Sequence, residues 1–482
     1  MRADGGAVDR AVERGRDKAL EELKSFCAQP SISAQDKGIR EMARMVVSAL
    51  ERRGFATHLV ETPRHPAIIA ERAGRGAGAG GASGASGADS RAILFYNHYD
   101  VQPPEPLDQW VTPAFQPTLR DGKLYARGVM DDKGHLACRL AAVDAVLEAN
   151  GGELPCTVKF LIEGEEEIAS PSLEQVIRDN KDSLAADLCL WEFGDVDAEG
   201  VSAQYLGFRG ILYVELSVQS LARDCHSGVW GTLLPNAAWR LTWALSTLKT
   251  ADEGIAIPGF YDKVIPPSAR DMRLLEQLPA IPESERISMG SRKFIGRYSS
   301  AAELQRNATL IPSCTICGLS AGYQGEGQKT IMPARASAKV DFRLVPDQSP
   351  EEILEKLRRH LDSRGFDDIQ VACIGKLDPS RTPLDHPLVG LVVESARDVY
   401  GRPQRIYPMS GGSGPAQLFR RHLGVPIVTA GVGYPGSNIH APNENIRLTD
   451  YYNGIRHTAR IVTDLAAEVS LPARDHSARA RN

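Results

Sequence analysis

The chain has 482 residues, a formal net charge of −5, 42% hydrophobic and 24% charged residues. Those are globular proportions, and the mildly acidic balance gives no basic footprint for nucleic acid, so neither a disordered chain nor an electrostatic nucleic-acid binder is expected. At about 100 to 200 residues per domain, the length implies two or three domains.

Met1–Arg16 is polar and charged, without the apolar stretch of a signal peptide, and no run approaches the roughly 20 apolar residues that span a bilayer. A soluble, cytoplasmic protein with no membrane partner is expected. Apolar residues recur at helical spacing over Val8–Cys27 and Gly38–Arg53, which predicts two opening helices. Gly74–Ala88 is almost wholly Gly, Ala and Ser and reads as a flexible loop. The eight cysteines are scattered through apolar segments, the distribution of free buried thiols, and Cys314-Thr-Ile-Cys317 lacks the second pair that a zinc knuckle requires.

Four short apolar runs stop abruptly at ionisable groups or at a loop carrying one. They are Ala92–Tyr96 before His98, Thr157–Ile162 before Glu163, Leu188–Trp191 before Glu192, and Pro426–Thr429 before the loop to His440. In an open α/β sheet, ligands bind beyond the carboxyl ends of the strands, so these ends predict one shared crevice. A helix over Leu136–Glu148 fills one gap. From Gly210 the pattern changes to strand Ile211–Val218, helix Ala237–Leu248, a long polar excursion, strands Thr309–Cys317 and Ala336–Leu344, helix Glu351–Leu361 and strand Ile369–Ile374. That β-α-β-β-α-β order is the split βαβ unit. The expectation is an α/β protein, a mixed-sheet α/β/α domain in two parts (1–209 and 386–482) with an inserted α+β domain (210–385).

The chemistry gathers at the strand ends. In Asn97-His98-Tyr99-Asp100, a carboxylate two residues after an imidazole can fix the second ring nitrogen of a metal-bound histidine. In Gly128-Val-Met-Asp131-Asp132-Lys-Gly134, one carboxylate has the two oxygens needed to bridge a pair of ions, although acids beside a helix start also serve its dipole. In Glu163-Gly-Glu165-Glu166-Glu167, crowded acids need a cation or a proton, and a hydrolase needs both a ligand carboxylate and a general base. Glu192 and His440 are unremarkable alone. Two histidines and three carboxylates together have the composition of a two-metal site.

These ordered motifs, with His440-Ala-Pro-Asn-Glu444, resemble the zinc metallopeptidase family of carnosinases and cytosolic dipeptidases, carboxypeptidase G, aminoacylases and succinyl-diaminopimelate desuccinylase, over almost the whole chain. The resemblance implies two divalent ions, most simply zinc with manganese or cobalt as alternatives, bridged by Asp131. His98 and Glu192 would complete one site, and Glu167 and His440 the other. It implies that Asp100 orients His98, that Glu166 activates a metal-bridging water, and that the Asp131–Asp132 peptide is cis. The ferredoxin-like insert would be a lid and dimerisation domain. His226, in Asp224-Cys-His-Ser-Gly228, would serve the partner subunit of a homodimer as an oxyanion donor, with Thr330, Arg343, His386 and Ser413 near the substrate. An arginine fork suits a substrate carboxylate.

A dipeptidase acting on small peptides is therefore the leading expectation. Glu192 departs from the Asp usual in the nearest dipeptidases and matches carboxypeptidases and deacylases, so a carboxypeptidase or an N-acyl-amino-acid amidohydrolase is the alternative, with Asp195 as a substitute ligand. A non-catalytic small-molecule binder would lack ligands, and none is missing.

Overall fold

In the computed structural model, which describes residues 5–75, 91–281, 283–296 and 298–467, the chain opens with two helices. These are α1 (Gly5–Ala28) and α2 (Ile39–Glu51), followed by β1 (Ala56–Val60), β2 (Ala67–Arg72), β3 (Ala92–His98), α3 (Lys133–Ala149), β4 (Thr157–Glu163) and β5 (Leu188–Trp191). Then come β6 (Gly210–Gln219), α4 (Ala237–Ser246), β7 (Ser313–Ala321), β8 (Arg335–Leu344), α5 (Pro350–Ser363) and β9 (Gln370–Leu377), and finally β10 (Ile427–Thr429) and α6 (Leu448–Ala467). Most of the Gly74–Ala88 tract, from residue 76 onward, lies outside the described residues.

The chain divides into two units. Unit 1 is Met1–Leu206, Thr382–Tyr407 and Leu418–Asn482, and unit 2 is Gly207–Arg381 with Pro408–Gln417. Residues 408–417, which the sequence division puts in the second part of the α/β domain, belong to unit 2.

Unit 1 is built on a mixed sheet of order β1-β2-β4-β3-β5-β10. β1, β2 and β4 pair antiparallel in succession, whereas β4, β3, β5 and β10 are mutually parallel. Every residue of β3, β4 and β5 is buried, and apart from Lys159 on β4 the strands read as apolar runs up to their ends: a parallel sheet covered on both faces has no polar side to display. α3 is buried over most of its length, and α1 and α6 pack on it. Tyr96 on β3 stacks on Trp191 of β5 at 4.2 Å, and Phe419 closes on both rings at 4.8 and 5.2 Å. Such ring pairs contribute about 0.5–1.5 kcal/mol each beyond their buried area. They fix the strand ends just before Asn97 and Glu192.

Unit 2 carries an antiparallel sheet of order β7-β8-β6-β9 with α4 and α5 packed against it, and further short helices lie between α4 and β7. β6 alternates buried Leu212, Val214, Leu216 and Val218 with half-buried neighbours, as a strand with one covered face must. The expectation of uniformly buried thiols needs correction, since Cys317 on β7 and Cys373 on β9 are exposed and Cys225 is half-buried. The short strand Cys225–His226 and the two outer strands of this sheet have solvent-facing positions that a composition argument does not detect. Among the described residues, no helix is long and apolar enough to cross a membrane.

Candidate active site

Parallel strands end on one side of their sheet. In unit 1 this rule brings His98, the last residue of β3, opposite Glu163, the last of β4, with Glu192 one residue past β5. The segment after β10 returns as the loop 436–444, in which Asn438, His440 and Asn443 adopt positive φ.

Asp131 is the centre of the cluster. Its Oδ1 is 3.0 Å from His98 Nε2 and its Oδ2 3.0 Å from His440 Nε2, so each oxygen faces a different imidazole. His440 Nε2 is also 3.2 Å from Glu167 Oε2. Atoms of Asp131, Glu167 and His440 lie close enough together to share one ion. Ligand atoms about 2.0–2.1 Å from a tetrahedral zinc stand roughly 3.3 Å apart, close to the spacings found here. Among the described residues, Glu167 Oε1 and Glu192 Oε2 are buried without a hydrogen-bond partner. A buried carboxylate oxygen without a donor costs about 1–3 kcal/mol or more, and a cation removes that cost. Asp131, Glu167 and His440 therefore fit one divalent ion, and His98, on the other oxygen of Asp131, brings a donor of the type a second would need. The Asp131–Asp132 peptide is cis, as the resemblance implies.

Asp100 is wholly buried and holds two elements together. His98 Nδ1 lies 3.1 Å from the Asp100 carbonyl and 3.3 Å from its carboxylate, which in turn accepts from the backbone N–H groups of Glu166 and Glu167 at 3.3 and 3.0 Å. One side chain thus orients a candidate ligand and fixes the turn bearing another. Burial pushes the Glu166 carboxyl up to about 8 against the pull of His98, with Asp131, Glu167 and Asp100 adding to the rise. Burial lowers the His98 pKa, but its bonds to Asp100 and Asp131 outweigh this and hold it well above its ordinary value. Bonds to Asp131 and Glu167 push His440 up to about 10. Burial likewise drives Glu192 well above the carboxylate range, its charge opposed by Glu166 and Asp132.

The four acids at and just past the end of β4 divide by partner. Glu163 Oε1 accepts from Tyr96 Oη at 2.6 Å and Ser170 Oγ at 2.9 Å. Glu165 accepts from Thr62 Oγ1 at 2.6 Å, His65 N at 2.9 Å and Ser172 N at 3.0 Å. These two brace the loop, leaving Glu166 and Glu167 for the cluster. Asp195, the substitute ligand, accepts from Tyr205 Oη at 3.1 Å.

The support beneath the candidate ligands has little signal in the sequence. Asp132 Oδ2 accepts from Asn97 Nδ2 at 2.6 Å and His98 N at 3.1 Å, and Gln102 Nε2 donates to Glu167 Oε2 at 2.8 Å. Arg139, buried, donates to the Tyr96 carbonyl and Asn97 Oδ1, each at 2.6 Å, and to the Trp191 carbonyl. A lone arginine inside the apolar run Leu136–Val143 is the signal that could have found it.

In unit 2, Arg343 Nη1 donates to Ser413 Oγ at 2.9 Å and its Nε to Asp341 at 3.2 Å. His226 pairs with Ile331 in a short two-stranded ladder beside Thr330, whose carbonyl accepts from Ser227 N at 3.1 Å. His386, in unit 1, uses Nδ1 to cap the helix Pro387–Ser395 through Leu388 N at 3.3 Å.

The family model for Peptidase family M20/M25/M40 matches residues 94–464. Beta-Ala-His dipeptidase of Homo sapiens is 27% identical over 95% of this chain and 92% of its own length, and Cys-Gly metallodipeptidase DUG1 of Candida albicans is 25% identical over 92% and 94%. Among solved structures, the M20 family metallo-carboxypeptidase Sso-CP2 from Sulfolobus solfataricus superposes with a TM-score of 0.85 at 36% identity, covering 93% of this chain and 99% of that one. Human carnosine dipeptidase 1 superposes with a TM-score of 0.77 at 25% identity over 96% and 100%. The chain belongs to Peptidase family M20/M25/M40, and it is a metallopeptidase.

Proposed function

We propose that this metallopeptidase cleaves the amide bond of dipeptides at a two-metal centre. The observation that carries the reading is Asp131, whose two oxygens face His98 and His440 separately, with unpartnered oxygens of Glu167 and Glu192 buried nearby. Asp131 would be shared, His98 and Glu192 would hold one ion, and Glu167 and His440 the other. Bound divalent ions would acidify a water and polarise the amide carbonyl. Glu166, half-buried beside Glu167, takes the proton of the attacking water and returns it to the leaving nitrogen. Asp100 keeps His98 in one ring orientation throughout.

The pairing of Arg343 with Ser413 supports recognition of a substrate carboxylate, because a guanidinium fork donates to a carboxylate in parallel. Thr330, His226 and His386 are proposed to complete substrate binding, His226 as an oxyanion donor supplied by the partner subunit of a homodimer formed through the unit 2 lid. A carboxypeptidase is the second reading, favoured by Glu192 and by the likeness to the metallo-carboxypeptidase Sso-CP2. A panel of free dipeptides, tripeptides and N-acylated dipeptides assayed with added zinc, manganese or cobalt separates the readings. Preference for free dipeptides supports the first; preference for N-blocked or longer peptides replaces it with the second.

A further inference from the structure

His440 and Asp131 lie far apart in sequence, and the chain joins their neighbourhoods through a short ladder. Asn445–Arg447 pairs antiparallel with Lys123–Tyr125, in the register Asn445 with Tyr125 and Ile446 with Leu124. The ladder extends one step further through Ala126 N, which donates to the Glu444 carbonyl at 3.1 Å. The Glu444 side chain then turns into the loop that carries Asp131.

There it meets four N–H donors. Oε2 accepts from Arg127 Nη1 at 2.8 Å and Gly128 N at 2.9 Å, and Oε1 accepts from Met130 N at 2.8 Å and Asp131 N at 3.0 Å. Glu444 and Arg127 are each about 1% exposed, so water cannot substitute for either partner. Three amides of one loop, those of Gly128, Met130 and Asp131, are satisfied by one carboxylate, which lies four residues from His440. The successive N–H groups of Met130 and Asp131 converge on one of its oxygens as in a nest, and a nest filled by a side chain fixes the local backbone.

We propose that Glu444 is a positioning residue for both ions: it clamps the Arg127–Asp131 loop to the His440 loop, setting the Asp131 carboxylate between the two imidazoles before any ion arrives. The inference rests on the two-ion reading above. Its distinctive consequence follows from Asp131 being shared. Loosening Asp131 weakens both ions together, whereas removing an unshared ligand weakens one.

The test is a cobalt(II) titration of the full chain, followed by visible absorption, for the wild type and Glu444→Gln, which puts an N–H donor where an acceptor is needed. Partners that orient metal ligands typically contribute about 10- to 100-fold in affinity, so both cobalt affinities should fall by a similar factor in that range. Unchanged affinities, or loss of one ion alone, would overturn the inference while leaving the two-ion reading intact. A wild-type chain that takes up no cobalt would overturn that reading and this inference with it. Backbone amide exchange on the ion-free wild type gives a second measurement, independent of whether the variant folds. Gly128, Met130 and Asp131 should be protected like amides of α3, and exchange at exposed-loop rates would contradict a preformed clamp.

Discussion

Arg139 Nη1 donates to Asn97 Oδ1 at 2.6 Å in the buried floor of the candidate site, and through Asn97 it supports Asp132 and the backbone of His98. The same guanidinium bonds the carbonyls of Tyr96 and Trp191, which tie β3 to β5 just before two candidate ligands. Arg139→Met leaves these acceptors buried without donors. At about 1–3 kcal/mol for each unsatisfied group, the variant should lose 3 kcal/mol or more of stability, read from denaturant unfolding. A loss within about 0.5 kcal/mol would show that the bonds are not cooperative supports.

Glu166→Gln tests the assignment of the base. The amide keeps the size of the side chain and removes the proton acceptor, so turnover should fall about 100- to 10,000-fold while uptake of ions is retained. Ordinary turnover in a fully loaded variant would move the role to another group.

Arg343→Ala and Ser413→Ala address the proposed carboxylate anchor. Loss of a charge-assisted bond of about 1.5–3 kcal/mol predicts a fall of roughly 10- to 150-fold in kcat/KM for Arg343→Ala, and the Ser413 variant should show a smaller effect in the same direction. The discriminating substrate is a C-terminally amidated dipeptide. Wild-type enzyme should lose most of its activity on it, and the Arg343 variant should lose its discrimination.

His457, buried on α6, faces the Val392 carbonyl at 3.2 Å and Ser395 Oγ at 3.1 Å, and burial lowers its pKa to about 4. An unfolded histidine takes up its proton near 6.5. Between those values the unfolded chain binds more protons, so stability from this group is complete above about pH 6.5 and is lost as pH falls toward 4. The span corresponds to about 3 kcal/mol. Urea unfolding at several pH values should show a steeper acid decline in wild type than in His457→Gln, and parallel profiles would refute the assignment.

Much of this architecture was legible because its signals are local. Largely apolar runs that end at or near His98, Glu163 and Glu192 become central strands, since a sheet buried on both faces favours that pattern. The order of elements in unit 2 followed from a change of period near Gly210. What stayed hidden depends on partners distant in sequence. Glu163 and Glu165 look like their neighbours Glu166 and Glu167 until Tyr96, Ser170, Thr62 and His65 arrive from other segments to bind them. Asp195, the substitute ligand, accepts from Tyr205 Oη, a partner that its own segment does not announce. Glu444 carries no periodic signal, and its role emerges only when the strand at Asn445 pairs with Lys123–Tyr125. The membership of 408–417 in unit 2 is likewise a property of long-range packing.

Metal-dependent amide hydrolysis at the Asp131 cluster is tested by stripping the full chain with a chelator, returning zinc, manganese or cobalt in measured amounts, and following ions bound per chain alongside hydrolysis of free dipeptides. Activity that vanishes on stripping and returns as up to two ions bind, with Asp131→Asn failing to recover, is the predicted result. Amide hydrolysis that survives complete stripping, or none at any loading across the peptide panel, would contradict it.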